Sequence, residues 1–259
     1  MIWSTYPVRS VWMTDGLSPS EIGTRTTMML RRLSPLAPAM SNWRLLDGSG
    51  ETALSMEEPT PVTAALVEAN VWEDDWGRPD PRLGYSVVVR GAEIVRDEGT
   101  PDTIDVAVTA GSKWFNRVDF EVGAPQLPKD FNLITYPIYR GALEAIVSAW
   151  PCPWAIAYTF CPDVAPVDAD TTDRRSPFDA AWIGYLSAPL AMGVKPSPAL
   201  KTEPTPGGGV IISAVEARID PSDAQHMRRS RMLEAIMIDA VGVEKGVTAV
   251  SHPARVGPY

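Results

Sequence analysis

Apolar positions along the chain change period several times, and each change marks a different element. From Ser18 onward the spacing is helical, with Ile22, Met29 and Leu33 on one face. Ser18 is placed to cap that helix, Pro19 suits its first position, and Glu21 completes a capping box. The same cap-then-proline logic at Thr60-Pro61 predicts a second helix that ends near Asn70, with Val62, Leu66 and Ala69 facing inward. WEDDWGRPDPRLG comes next without any period and is predicted to be a loop. Three segments then have strand character, YSVVVR at 85–90, TIDVAVT at 103–109 and NRVDFEV at 116–122, the last two alternating at period two. Their pattern predicts an antiparallel meander with one apolar face, its other face carrying Asp105, Asp119 and Glu121.

The helical period returns at Tyr139, Leu143, Ile146, Val147 and Trp150, and Pro151 ends it. WAIAYTF (154–160), AWIGYLS (181–187) and GVIISAV (209–215) are short apolar runs flanked by Pro or Gly, which favours strands. A last helix is predicted after Asp220-Pro221, carrying Met227, Leu233, Ile236 and Met237. Helices, a run of strands, then a mixture without regular βαβ alternation argue for an α+β fold, a mostly antiparallel sheet with helices packed on it. The expectation is one domain over 1–242, with 122–137 as the stretch where it would divide into subdomains, and a loosely held tail over 243–259.

Composition adds a class and charge adds a direction. With 45% hydrophobic and 21% charged residues over 259 positions, the chain is that of an ordinary globular protein. No run of about 18 apolar residues is present, so no membrane span is expected. The N-terminal MIWSTYPVRSVWMTDG has no basic leader followed by an apolar core, and a cytoplasmic location is expected. Residues 51–121 hold 15 Asp or Glu against 6 Lys or Arg, a balance of -9 that equals the net charge of the whole chain. A field of that sign repels polyanions and favours a cationic partner, so nucleic acid is not the expected ligand.

Candidate chemistry is sparse. Cys152 and Cys161 read as small buried hydrophobes, and two Cys with two His do not assemble a zinc site. His226 sits beside Arg228 and Arg229 and reads as a solvated helix residue; His252 falls in the tail. Pro206-Gly207-Gly208-Gly209 precedes a strand, so it lacks the helix dipole of a phosphate cradle and reads as a turn. The densest cluster is Trp72, Glu73, Asp74, Asp75 and Trp76, with Asp80 behind it. Three readings fit it: a solvated loop, a magnesium or calcium site of hard oxygen ligands, and a binding hot spot in which tryptophans pack while carboxylates complement a basic partner. No cofactor is called for.

AAWIGYLSAPLA and PTPGGGVIISAVEARIDPSDAQHMRRSRMLEAI together resemble the C-terminal signature of the immunity protein 52 family. The matching residues are Trp182, Gly184, Tyr185, Leu186 and Ser187, then Gly207 to Gly209, then Glu216, Ile219, Asp220 and Ala224-Gln225-His226. Tyr6, the step from Leu36 to Trp43, and Gly84-Tyr85-Ser86 extend the likeness toward the N-terminus. The resemblance implies a non-enzymatic bacterial immunity protein that neutralises a cognate toxin, often a nuclease of restriction-endonuclease type delivered by contact-dependent or type VI secretion. Trp72, Glu73, Asp74, Asp75, Trp76 and Asp80 are the expected contact residues, with Asp105, Asp119 and Glu121 next. The alternative is a metal-dependent hydrolase using Glu73, Asp74, Asp75 and Asp80; a structural subunit is a third reading.

Overall fold

The computed structural model describes residues 6–14, 16–47, 50–54, 56, 59–91, 103–123, 132–159, 180–195 and 197–241. The chain divides into two compact units, with the change between Cys152 and Pro153, well after the 122–137 stretch expected from sequence. The first unit, Pro7–Cys152, contains β1 (Pro7–Trp12), α1 (Pro19–Leu33), β2 (Trp43–Asp47), β3 (Gly50–Leu54), α2 (Pro59–Ala69), β4 (Tyr85–Arg90), β5 (Ile104–Ala110), β6 (Asn116–Val122) and α3 (Tyr136–Ala149). Its strands run in the order β3-β2-β4-β5-β6-β1, each antiparallel to its neighbour.

The second unit, Tyr6 with the described residues from Pro153 on, contains β7 (Trp154–Tyr158), β8 (Ala181–Leu186), α4 (Ala188–Ala191), β9 (Lys201–Pro204), β10 (Val210–Ser213) and α5 (Ala224–Val241). Its strands run β7-β8-β10-β9, also antiparallel. The α+β expectation holds in both units. No helix among the described residues is long and apolar enough to cross a membrane.

Local sequence explains most of the first unit. The capping box of α1 forms as read: the Glu21 N–H donates to Ser18 Oγ at 3.3 Å, and the Ser18 N–H donates to the Glu21 carboxylate at 2.9 Å. Ile22, Met29 and Leu33 are fully buried. In the meander, Ile104, Val106, Val108, Val118, Phe120 and Val122 all point into the core, and Phe120 meets Tyr139 of α3 edge to face at 5.7 Å between centroids.

The inward face of α2 differs from the sequence reading. Thr63 and Val67 are buried, while Val62 and Ala69 are exposed and Leu66 is half-buried. The reason is the approach of α1: a Cβ on Gly23 would lie 2.8 Å from the Ala64 nitrogen, so the two backbones nearly touch and the Thr63-Ala64-Val67 side must face inward. Four strands escaped the sequence reading. β1 is buried on both faces and so lacks alternation, and β2, β3 and β9 are short.

In the second unit the three apolar runs form β7, β8 and β10 as expected. The helix after Asp220-Pro221 begins later than read. Asp223 is the cap, its Oδ1 accepting from the Gln225 N–H at 2.7 Å and the His226 N–H at 3.1 Å, while Asp220 folds the preceding turn by accepting from Ser222. Pro206 to Gly209 make the hairpin turn between β9 and β10, closed by Thr205 N–H to Gly209 O at 2.8 Å. Cys161, His252 and the predicted tail lie outside the described residues.

Candidate binding surface

One end of the first unit's strands gathers the groups that stand out. There β1 ends at Trp12, β4 begins at Tyr85, β5 ends at Ala110 and β6 begins at Asn116. Register confirms the alignment, with Trp12 opposite Asn116 and Tyr85 opposite Ala110. Three connections therefore leave from one end: the chain leaving β1 at Met13, the 111–115 turn, and the long 70–84 segment.

That long segment is a braced finger. The Asn70 side-chain amide donates to Leu66 O at 2.8 Å and closes α2, and the chain then runs back along its own return path. Val71 bridges Tyr85, and Glu73 bridges Pro79. The Trp72 N–H reaches Gly84 O at 2.9 Å, the Asp80 N–H reaches Trp72 O at 2.8 Å, and the Asp74 N–H reaches Arg78 O at 2.8 Å. At the tip, Asp74 Oδ1 accepts from the N–H groups of Trp76 (2.9 Å) and Arg78 (3.0 Å). This is the local side-chain-to-backbone bonding that makes Asp a turn residue. The root is seated as firmly: Gly84 has φ +95°, and a Cβ there would sit 2.7 Å from Ala110 O and 2.9 Å from the Ser112 N. Only glycine permits that approach.

The two other connections are tied to the same end. Asn116 donates through Nδ2 to Ser112 O at 2.8 Å and to Trp12 O at 3.3 Å, and Ser112 Oγ accepts from the Trp114 N–H at 3.2 Å. From these braced segments three large apolar side chains project: Trp76 is 77% exposed, Met13 75% and Trp114 61%. Exposed aromatic residues and methionine on well-held backbone are the composition of interface anchors.

Several of the carboxylates expected to form an acidic surface are paired with arginines. Asp74 lies 3.5 Å from Arg78 Nε. Asp80 accepts from Arg82 Nε at 2.9 Å and Nη2 at 2.7 Å, and these bonds with the Arg82 backbone N–H hold its carboxyl below the usual range while raising the guanidinium. On the meander, Asp105 pairs with Arg90, directly opposite on β4, at 2.8 Å. Asp119 pairs with Arg9, opposite on β1, at 2.6 Å, and with Arg117. Glu51 on β3 joins Arg44 at 2.9 Å and Arg90 at 3.5 Å. Glu121 stands opposite Asp105 and is half-buried. Trp72 is half-buried, and Glu73 and Asp75 are exposed on the finger.

The structure thus brings Trp72, Glu73, Asp74, Asp75, Trp76 and Asp80 together, and keeps Asp105, Asp119 and Glu121 on the meander. Of the -9 balance in residues 51–121, the described part contributes nine acidic and five basic residues, or -4; six acidic residues and Arg96 in 57–58 and 92–102 supply the other -5. Met13, Trp114, Arg78 and Arg82 were not singled out from sequence. A usable signal existed for the arginines, which come after Asp74 by four positions and Asp80 by two.

Among the described residues no group of three His, Cys, Asp or Glu side chains is disposed to hold a metal ion. His226 accepts the Asp220 N–H at Nδ1 (3.1 Å), which gives it a structural task at the start of α5. Cys152 is buried, and desolvation pushes its thiol up to about 11, so it stays protonated and inert. Three of the residues that carry the family resemblance are core: Trp182 is fully buried and donates to Val215 O at 3.1 Å, Tyr6 meets its ring at 6.3 Å and donates to Ile219 O, and a Cβ on Gly184 would collide with Met237 Sδ at 2.7 Å; Glu216, Asp220, Ala224 and Gln225 are exposed.

No protein-family model matches the chain, and no curated protein matches it. Among solved structures, the Pseudomonas aeruginosa T6SS protein PA0821 is similar over 92% of this chain and 72% of its own, at 12% sequence identity and a TM-score of 0.48. The resemblance to immunity protein 52 rests on the residues quoted for it.

Proposed function

We propose that this chain is a bacterial immunity protein that binds a cognate secreted toxin, a nuclease, in the cytoplasm and neutralises it by contact, with no catalysis of its own. The supporting observation is the end of the first unit where Trp76 is exposed on a finger held by backbone bonds, and Trp114 and Met13 are exposed on the two connections that leave from the same strand ends. A folded chain gains nothing from leaving two indoles in water on rigid loops, whereas an interface gains most from anchors ordered before binding. Family resemblance supplies the kind of partner, and the net charge of -9 disfavours a nucleic-acid partner in place of a protein. The hydrolase reading is weakened by the finger itself. Asp74 and Asp80 are engaged by backbone N–H groups and arginines, so metal ligation would have to break those bonds.

The test is direct. The toxin domain encoded beside this gene, purified and mixed with the chain, should form a complex stable to gel filtration and lose its nuclease activity. If no complex forms with that domain, the reading fails. Calorimetric titration with magnesium, manganese and calcium is expected to show no stoichiometric binding; binding abolished by Asp74→Ala with Asp75→Ala would favour the hydrolase.

A further inference from the structure

We infer that Trp76 is the anchor of the interface and that its socket on the toxin is apolar with a rim of carboxylates. This rests on the reading above and goes beyond it, because the segment's acidity alone points to a basic partner. What the finger presents differs from its composition. The Arg78 and Arg82 side chains are 70% and 79% exposed, whereas the Asp74 and Asp80 side chains that pair with them are 25% and 15% exposed. These two carboxylates lie inward and their guanidiniums outward. Arg78 is also held over the Trp76 ring, 5.2 Å from its centroid, so the charge set against the indole is a cation. Asp74 engages Arg78 through Nε, and among the described residues no acceptor takes its terminal N–H groups. A guanidinium has five N–H donors, and those left over suit a second carboxylate. Glu73 and Asp75 are exposed on the same finger, but neither is placed on the indole by any contact of this structure.

Asp74 is the positioning residue of this device. Its Oδ1 fixes the backbone on both sides of Gly77, which sets where the indole and the Arg78 guanidinium over it project. Fixing the side chain before encounter removes ordering entropy that binding would otherwise have to overcome.

The experiment measures binding of the toxin domain by surface plasmon resonance. Trp76→Ala is expected to weaken the Kd by about 30-fold or more, the scale of an interface hot spot. Its fold is checked by circular dichroism, which an exposed side chain should leave unchanged. Arg78→Glu should weaken binding more than Arg78→Ala. Asp74→Asn, which keeps the oxygen that accepts the two N–H groups, should bind more tightly than Asp74→Ala. Met192→Ala, which removes an exposed side chain of the second unit, serves as the control. If wild-type protein binds and Trp76→Ala binds within threefold of it, the anchor is elsewhere and the immunity reading stands. If Arg78→Glu tightens the complex, the rim is basic and the inference is overturned. If wild-type protein does not bind at all, the immunity reading itself has failed.

Discussion

The finger at 70–84 and the polar face of the meander come from the same acidic stretch, yet they handle their carboxylates in opposite ways. On the meander, alternation places each Asp across from an arginine of another strand, Asp105 against Arg90 and Asp119 against Arg9. Neutralisation there comes from neighbouring strands and ties them together, with Arg117 adding a partner for Asp119 within its own strand. On the finger the partners are two and four residues away, Arg82 for Asp80 and Arg78 for Asp74, and the same carboxylates accept backbone N–H groups. Neutralisation there is local, and its product is a shaped loop that holds Trp76 in solvent. A count of charges therefore does not say what surface a segment offers; the distance to the neutralising partner does.

If the meander is scaffold and the finger is display, their variants should separate. Phe120→Ala removes a fully buried ring beneath the meander and should destabilise the protein by about 3–5 kcal/mol in urea unfolding, whereas Trp76→Ala should stay within about 0.5 kcal/mol. Similar losses for the two would dissolve the distinction. Asp119→Asn leaves Arg9 and Arg117 without their largely covered partner and should lose about 1.5–3 kcal/mol. Asp105→Asn, in a more exposed pair, should lose about 0.5–1 kcal/mol by the same measurement; the reverse order would mean that cross-strand burial does not set the strength of these pairs. Asp74→Ala should leave global unfolding nearly unchanged while hydrogen exchange at the Trp76 and Arg78 amides rises about tenfold or more. Equal protection in mutant and wild type would show that the finger is not braced by that carboxylate.

The smallest expected effect is in acid. Bonding to Arg82 depresses the carboxyl of Asp80, bonding to Ser222 depresses that of Asp220, and the amides of His226 and Gln225 depress that of Asp223. A folded-state value below the unfolded one means that each contribution is complete above the ordinary carboxylate value of about 3.9. It fades as the pH falls below that value, through the folded one. Carbon-detected NMR titration of the three carboxyls should find each midpoint below that of an exposed Asp; an ordinary or raised midpoint for Asp80 would mean that Arg82 does not hold it in solution.

Much of the fold was legible because it is local. Ser18-Pro19-x-Glu21 specifies a helix start in four residues, and alternation in 103–122 specifies both strands and their apolar face. Where the deciding contact came from elsewhere, the reading slipped. The inward side of α2 was set by Gly23 of another helix, and β1 showed no alternation because both its faces are buried. The start of α5 went to Asp223 because Asp220 was occupied in a turn of its own.

By itself the sequence determined the α+β class, the capped helices, the meander and the loop that carries Trp76, since propensity, period and turn chemistry act over a few residues. Only the tertiary structure decided what the acidic stretch presents. Whether a carboxylate offers a free charge depends on which arginine lies within about 4 Å of it, and the cross-strand arginines of Asp105 and Asp119 are 15 and 110 residues away. The same holds for Met13 and Trp114, which share one end of the unit with Trp76 because strand register brings Trp12 to Asn116 and Tyr85 to Ala110.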